Sequence, residues 1–258
     1  LAVGTLTAIP VRPPSVVDAA VAGRAMLLAP LATLPLAVIP LVAHLAVRWL
    51  DMPSLLAAAL AVAALALASR GLHLDGLADT ADGLAASYDR ERALTVMRRG
   101  DAGPAGVATV ALVLIVQVTA LAGLLGLPSW DRPVLAALAV ASSRHTLAWL
   151  CGRAFPAARP SGLGAAVAGS VPVGAAAAGA VVLAVAGALT MSILTPAHAP
   201  WATVGWYAAP ATVVVAVLVA LAVGHRARTR LGGVTGDVLG AGVEMALAAT
   251  LTVAVCLP

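Results

Sequence analysis

The sequence predicts an all-α polytopic membrane protein of about seven transmembrane helices, and three observations carry that reading. First, 62% of the residues are hydrophobic and 10% charged, where a soluble domain is about 45–50% apolar and about 25% charged. Second, the apolar residues fall into blocks near the length of about 20 residues that crosses a bilayer. Third, all 15 basic residues are arginines, and they crowd into alternate intervals between those blocks. The 258 residues are read as one integral membrane domain, 1–258.

Taken in order, the expected spans are 27–49, 54–69, 104–127, 134–151, 173–194, 203–224 and 238–257. The second is short, and its helix is free to run on into the polar stretch that follows. Turn chemistry separates the blocks: Asp51-Met52-Pro53, Pro128-Ser129-Trp130, Pro160-Ser161-Gly162, Pro196 and Pro200. Trp49, Trp130, Trp201 and Trp206 lie near span ends, as an interfacial belt requires. Residues 1–20 lack a basic stretch followed by an apolar core, so no signal peptide is expected.

The arginines set the expected orientation. Arg12, Arg24, Arg70, Arg90, Arg92, Arg98, Arg99, Arg153, Arg159, Arg226, Arg228 and Arg230 share one face, 12 in all, against Arg48 and Arg132 on the other. Arg144 lies inside the fourth span. Positive residues stay on the cytoplasmic side, so the N-terminus and the polar loops are expected in the cytoplasm. The net charge of +4 follows from these topogenic arginines. No basic run is interleaved with aromatics, so no nucleic-acid partner is expected. Cys151 and Cys256 end spans on opposite faces and sit in no Cys/His cluster, which excludes a disulfide and argues against zinc. A homo-oligomer is compatible with the sequence.

Chemistry concentrates after the second span. In residues 71–83, Asp75, Asp79 and Asp82 are spaced i, i+4, i+7, one narrow stripe of a helix. Leu74, Leu77, Ala81 and Leu84 fall on the opposite side, which makes a short amphipathic helix with an acidic seam. Like charges at that spacing repel by about 0.2–0.5 kcal/mol per pair, and no arginine intervenes between Arg70 and Arg90. A divalent cation relieves the repulsion, and hard oxygen ligands suit Mg²⁺ or Mn²⁺; the plainer alternative is a solvated acidic turn. His73 lies off the stripe and is open to three roles: general base, phosphate donor or packed histidine.

Two further segments share that face. Met97-Arg98-Arg99-Gly100-Asp101-Ala102-Gly103-Pro104-Ala105-Gly106 offers arginines that can grip phosphate; Asp101 is a further ligand or, more commonly, a helix cap. Gly232, Gly233, Thr235 and Gly236 precede a helix, an arrangement suited to anions. Asp237 and Glu244 are seven residues apart on one face of that helix. Glu244 is an intramembrane acid that is either functional or a partner for Arg144 or His145.

Residues 71–83, 231–240 and Glu244 together resemble the cobalamin synthase family, adenosylcobinamide-GDP ribazoletransferase, and the resemblance runs from Ile9-Pro10 to Glu244. Met97, Arg98, Gly103 and Gly106 match a family run, while Arg99, Gly100 and Asp101 stand where Asp, Ser and Arg are common, and Ala8 where Arg is. The resemblance implies a Mg²⁺-dependent enzyme of the bacterial inner membrane. It implies joining of adenosylcobinamide-GDP to α-ribazole or its 5′-phosphate, with release of GMP. On that basis Asp75, Asp79, Asp82 and Asp237 are expected to hold metal. Arg98, Arg99, Gly232, Gly233, Thr235 and Gly236 would hold phosphates, and Asp82, Asp79 or His73 would take the hydroxyl proton. Two other readings fit less well. A CDP-alcohol phosphotransferase would show Ala-Arg where Asp79-Thr80 stand, and Asp at Ser87. A divalent-cation or small-molecule transporter would carry its site nearer midplane and an internal repeat.

Overall fold

The computed structural model describes residues 1–12, 14–194 and 205–257. All regular structure among them is helical, apart from two isolated backbone bridges, Gly152 to Val171 and Ala157 to Val234. The helices are α1 (Ala2–Leu6), α2 (Ala19–Leu27), α3 (Ala29–Ala32), α4 (Leu34–Ala37), α5 (Ile39–Trp49), α6 (Ser54–Ala68) and α7 (Leu72–Ala86). They continue as α8 (Arg90–Val96), α9 (Pro104–Leu125), α10 (Asp131–Leu150), α11 (Leu163–Val167), α12 (Val173–Leu194), α13 (Ala208–Leu231) and α14 (Gly236–Cys256).

Four of these, α9, α12, α13 and α14, are long and apolar enough to cross a membrane. A fifth span is obtained only if α6 and α7 count together, and they are bent by 89° at their junction. This is fewer than the seven spans read from the sequence. The block 27–49 is not one continuous helix: Pro30, Pro35 and Pro40 each occupy the first turn of a new helix, α3, α4 and α5. A proline lacks the N–H and clashes with the carbonyl four residues back, so three of them five residues apart cut the block into pieces. The fourth expected span corresponds to α10, which is less apolar than the four because it carries Asp131, Arg132, Arg144 and His145. It is also the most enclosed helix, buried along nearly its whole length.

Exposure on the outer helices is apolar. Ile193, Val182 and Val181 on α12, Leu112 on α9 and Leu67 on α6 all face outward, as side chains against lipid do. Trp49, Trp130 and Trp206 are exposed at helix ends; Trp201, Pro196, Pro200 and the expected start at Thr203 lie outside the described residues. The sixth expected span runs on as helix to Leu231, so Arg226, Arg228 and Arg230 belong to the last turns of α13 rather than to a loop. Cys151 and Cys256 are both unbridged.

The crossing of α7 over α14 positions everything that follows. Between α6 and α7 the chain turns through Arg70 and Gly71, both at positive φ, and Arg70 is tied to α1 by a bond from Nη2 to Gly4 O at 2.8 Å. Helix α7 then lies across the start of α14 at near backbone contact. A Cβ built on Gly76 would stand 2.6 Å from Asp237 O, and one on Gly240 would stand 3.1 Å from His73 Cα. This close approach also decides which face of α7 is buried. It is His73, Gly76, Leu77, Thr80 and Gly83, with Leu74, Ala81 and Leu84 only half-buried. Of the apolar side read from the sequence only Leu77 is fully buried, and small or polar residues supply the rest of the buried face.

Gly76→Ala places a methyl against the α14 backbone. We expect it to destabilise the fold by about 1–3 kcal/mol, the usual cost of overpacking. Thermal unfolding of the detergent-solubilised chain measures this.

Candidate functional site

A cavity of about 210 Å³ opens where α7, α14 and the 159–165 segment meet. His73 and Asp75 come from the first turn of α7, Thr235, Gly236 and Asp237 from the start of α14, and Arg159, Ser161 and Gly162 from the segment between. The segment is held in place by backbone pairing: Val234 N–H donates to Pro156 O at 2.8 Å and Ala158 N–H to Val234 O at 2.9 Å. Thr235 caps α14, accepting from Val238 N–H at 3.2 Å, while its hydroxyl donates to Asp237 Oδ2 at 3.1 Å.

The acidic seam sinks as it runs along α7. Asp75 is exposed, Asp79 half-buried and Asp82 buried. Asp79 carries a perturbed carboxylate. Burial, then the charges of Asp75, Asp237 and Asp82, push it up to about 6 against the opposing charge of Arg159. Arg159 Nη1 also lies 3.6 Å from Asp237 Oδ2. Asp75, Asp79 and Asp237 thus face one another with one cation beside them.

Asp82 has a different setting. Its Oδ2 accepts from Gly103 N–H at 2.7 Å and its Oδ1 from Gly106 N–H at 2.8 Å. The carboxylate therefore caps α9 from another helix, meeting N–H groups left unpaired at a helix start. Side chains at 103 or 106 would collide with it. The cap foreseen at Asp101 is supplied by Asp82 instead. Asp82 holds two elements together, where the sequence suggested metal or proton transfer.

The phosphate-binding candidates divide in the same way. Thr235 and Gly236 line the cavity. Gly232 closes α13 with a left-handed φ of 78° and packs on the Arg90 guanidinium, and Gly233 lies against Pro156 O. These two glycines shape the loop and do not line the cavity. Arg98 lines an adjoining recess and Arg99 lines neither.

Behind the cavity lies a buried polar group that the sequence only partly foretold. Glu244 Oε2 accepts from Gln117 Nε2 at 2.8 Å, and its Oε1 is 3.9 Å from His73 Nδ1, beyond hydrogen-bond range. Arg144 contributes the balancing charge. His145, the other expected partner, is bonded instead to Ala176 O at 2.9 Å through Nε2. Gln117 and Arg159 were missed as functional candidates: the first is a lone amide in an apolar block, the second was counted only for topology.

Does the donor set fit Mg²⁺? Among the described residues, no three His, Cys, Asp or Glu side chains converge closely enough to ligate one ion as they stand. The chemistry of Asp75, Asp79 and Asp237 nevertheless suits it. Mg²⁺ is usually held by one or two carboxylates and completed by substrate phosphates and water, not by an all-protein cage.

Fold and site together define a helical membrane protein whose cavity, walled by carboxylates and arginine, is suited to phosphate chemistry. Comparison with known proteins narrows this class. The family profile described as cobalamin-5-phosphate synthase matches residues 1–255, and the chain belongs to that family. A relative named adenosylcobinamide-GDP ribazoletransferase from Nocardioides sp. (strain ATCC BAA-499 / JS614) is 49% identical over 97% of this chain and 94% of its own length. One of the same name from Frankia casuarinae is 40% identical over 96% of this chain and 90% of its own. One from Escherichia coli O139:H28 is 34% identical over 68% of this chain and 65% of its own. No solved structure matches.

Asp82→Ala strands the Gly103 and Gly106 N–H groups. We expect a loss of about 1–3 kcal/mol of stability, the cost of unmet buried donors, read as a lower melting temperature in detergent. A variant as stable as the parent would remove Asp82 from its capping role.

Proposed function

We propose that this chain joins adenosylcobinamide-GDP to α-ribazole, or to α-ribazole 5′-phosphate, giving adenosylcobalamin or its 5′-phosphate and releasing GMP. One observation carries the reading: in a member of this family, Asp75, Asp237 and Arg159 line one cavity, and Asp79 lies near enough to feel the charge of all three. Uncompensated carboxylates beside an arginine suit a substrate that is itself polyanionic and brings a cation with it.

In the reaction a ribose hydroxyl oxygen bonds to the phosphorus next to cobinamide. The bond from that phosphorus to the GMP oxygen breaks, and the hydroxyl proton passes to a basic side chain. Asp75, Asp79 and Asp237 would hold Mg²⁺, and Mg²⁺ there would neutralise phosphate charge and polarise the phosphoryl oxygens. Arg159 lies beside Asp237 and can donate to phosphate from a fixed fork. Thr235 and Gly236 place the start of α14, with its positive end, against the same cavity. A carboxylate of the cluster or His73 takes the proton. At about 210 Å³ the cavity accommodates the reacting phosphate and sugar, and the corrin ring stays outside it.

The arginine-rich end carrying this cavity faces the cytoplasm of a bacterial inner membrane. Arg90, Arg159, Arg228 and Arg230 all donate to backbone carbonyls at that end, whereas Arg132 donates to Leu257 O at the far end of α14. Nucleotide substrates are then on the side where the cell makes them.

The test incubates membranes carrying the chain with GDP-cobinamide, α-ribazole and Mg²⁺. GMP and cobamide should appear in equal amounts, and Asp237→Asn should reduce their rate by about 100-fold or more, as loss of a charge-stabilising group does. Folded protein that forms neither product would overturn the reading.

A further inference from the structure

We propose that a second, arginine-lined recess beside the cavity binds the phosphate monoester end of a nucleotide. The proposal rests on the reaction given above and adds to it a subsite and one residue, Arg90, that composition alone would assign to topology. The recess has a volume of about 350 Å³ and lies between α8 and residues 158–162. Arg90, Arg98 and Arg159 line it, with Glu91 as its one acid. It shares Arg159, Ser161 and Gly162 with the cavity, so the two are neighbours across a single wall.

These arginines are not loose surface charges. Arg90 Nη2 donates to Ala158 O at 3.0 Å and Arg159 Nη2 to Leu94 O at 3.0 Å. The two bonds run in opposite directions, from α8 to the segment and from the segment to α8, and lace the recess shut from behind. Carbonyl acceptors fix both guanidinium groups; Arg90 makes no ion pair among the described residues, whereas Arg159 also meets Asp237 on the cavity side. Arg159 Nε is buried with no hydrogen-bond partner. Arg98 is exposed at the rim, and its side chain makes no hydrogen bond or ion pair to other described residues. With Arg159 shared with Asp237 across the wall, Arg90 and Arg98 against Glu91 still leave the concavity positive. A phosphate dianion offers three acceptor oxygens, and guanidinium forks match that geometry.

Two phosphate monoesters take part in the reaction, the GMP that leaves and the 5′-phosphate of α-ribazole 5′-phosphate. Their shared chemistry is what the recess would recognise, and two measurements tell them apart. The first is direct binding of GMP and of guanosine to the purified full-length chain. GMP should bind at least about tenfold tighter than guanosine, and Arg98→Gln should weaken GMP at least about tenfold if GMP is the occupant, the effect of losing one charge-assisted bond. The second is the ratio of kcat/KM for α-ribazole 5′-phosphate to that for α-ribazole. Arg98→Gln should lower this ratio at least about tenfold if the 5′-phosphate is the occupant.

Arg98 is the residue to change first, because Arg90 also holds Ala158 and its loss endangers the fold. Arg90→Lys, which keeps a donor but loses the fork, serves as the second variant and should move the same quantity in the same direction. GMP affinity and acceptor ratio both unchanged in the two variants would overturn the proposal. A chain that turns over no GDP-cobinamide at all would instead defeat the assigned reaction, and the GMP-binding measurement would still report on the recess.

Discussion

The near-contact of α7 with α14 is the constraint on which the site depends. Gly76 lies against the Asp237 backbone and Gly240 against His73. Small residues permit helices to approach this closely, which is how helix association is achieved where lipid removes the hydrophobic drive. Because the crossing falls at the first turn of α14, it sets Asp75 and Asp79 beside Asp237. It also brings His73 toward Glu244, two turns deeper. A larger residue at 76 would separate the two halves of the acidic cluster before it touched any carboxylate.

That geometry has an electrostatic cost, which the chain leaves partly unmet. Three carboxylates approach one another with Arg159 as the neighbouring cation, and Asp79 responds by holding its proton to about 6. Asp82 stands apart from this group, its two carboxylate oxygens bonded to N–H groups at the start of α9. The four aspartates therefore divide by setting. Asp82 fastens α9 to α7, and Asp75, Asp79 and Asp237 remain as a group with Arg159 beside it. A site that binds a cation together with anionic phosphates needs such a group.

Much of this was legible in the sequence. The span 173–194 is matched to the residue by α12, because an uninterrupted apolar block of 22 residues has one way to fold in lipid. The acidic seam and the shared face of residues 71–83 and 232–237 were visible from spacing and from the arginine distribution. The helix breaks inside the block 27–49 were not foreseen because apolar length outweighed Pro30, Pro35 and Pro40, whose spacing of five was the available signal. The amphipathic pattern alone left the buried face of α7 unassigned: helix approach follows side-chain size, and Gly76, Thr80 and Gly83 join Leu77 at the tight crossing. Asp82 could have been placed by asking what Gly103 and Gly106, at the start of a helix, would donate to. Nothing local marks Arg159 or Gln117, whose partners lie 78 and 127 positions away.

The most direct test is the thermal stability of the detergent-solubilised chain near pH 7.5, with and without Mg²⁺, in the parent and in Asp79→Asn. Asp79 is raised from 3.8 to about 6, so the folded chain holds this proton more tightly than the unfolded chain. Its contribution to stability is complete below 3.8 and is lost as the pH rises through about 6. Without Mg²⁺, Asp79→Asn should therefore melt above the parent. With Mg²⁺ the parent should gain stability, as any ligand of the folded state confers, while the variant gains much less. A parent indifferent to Mg²⁺, or a variant that gains as much, would contradict the account.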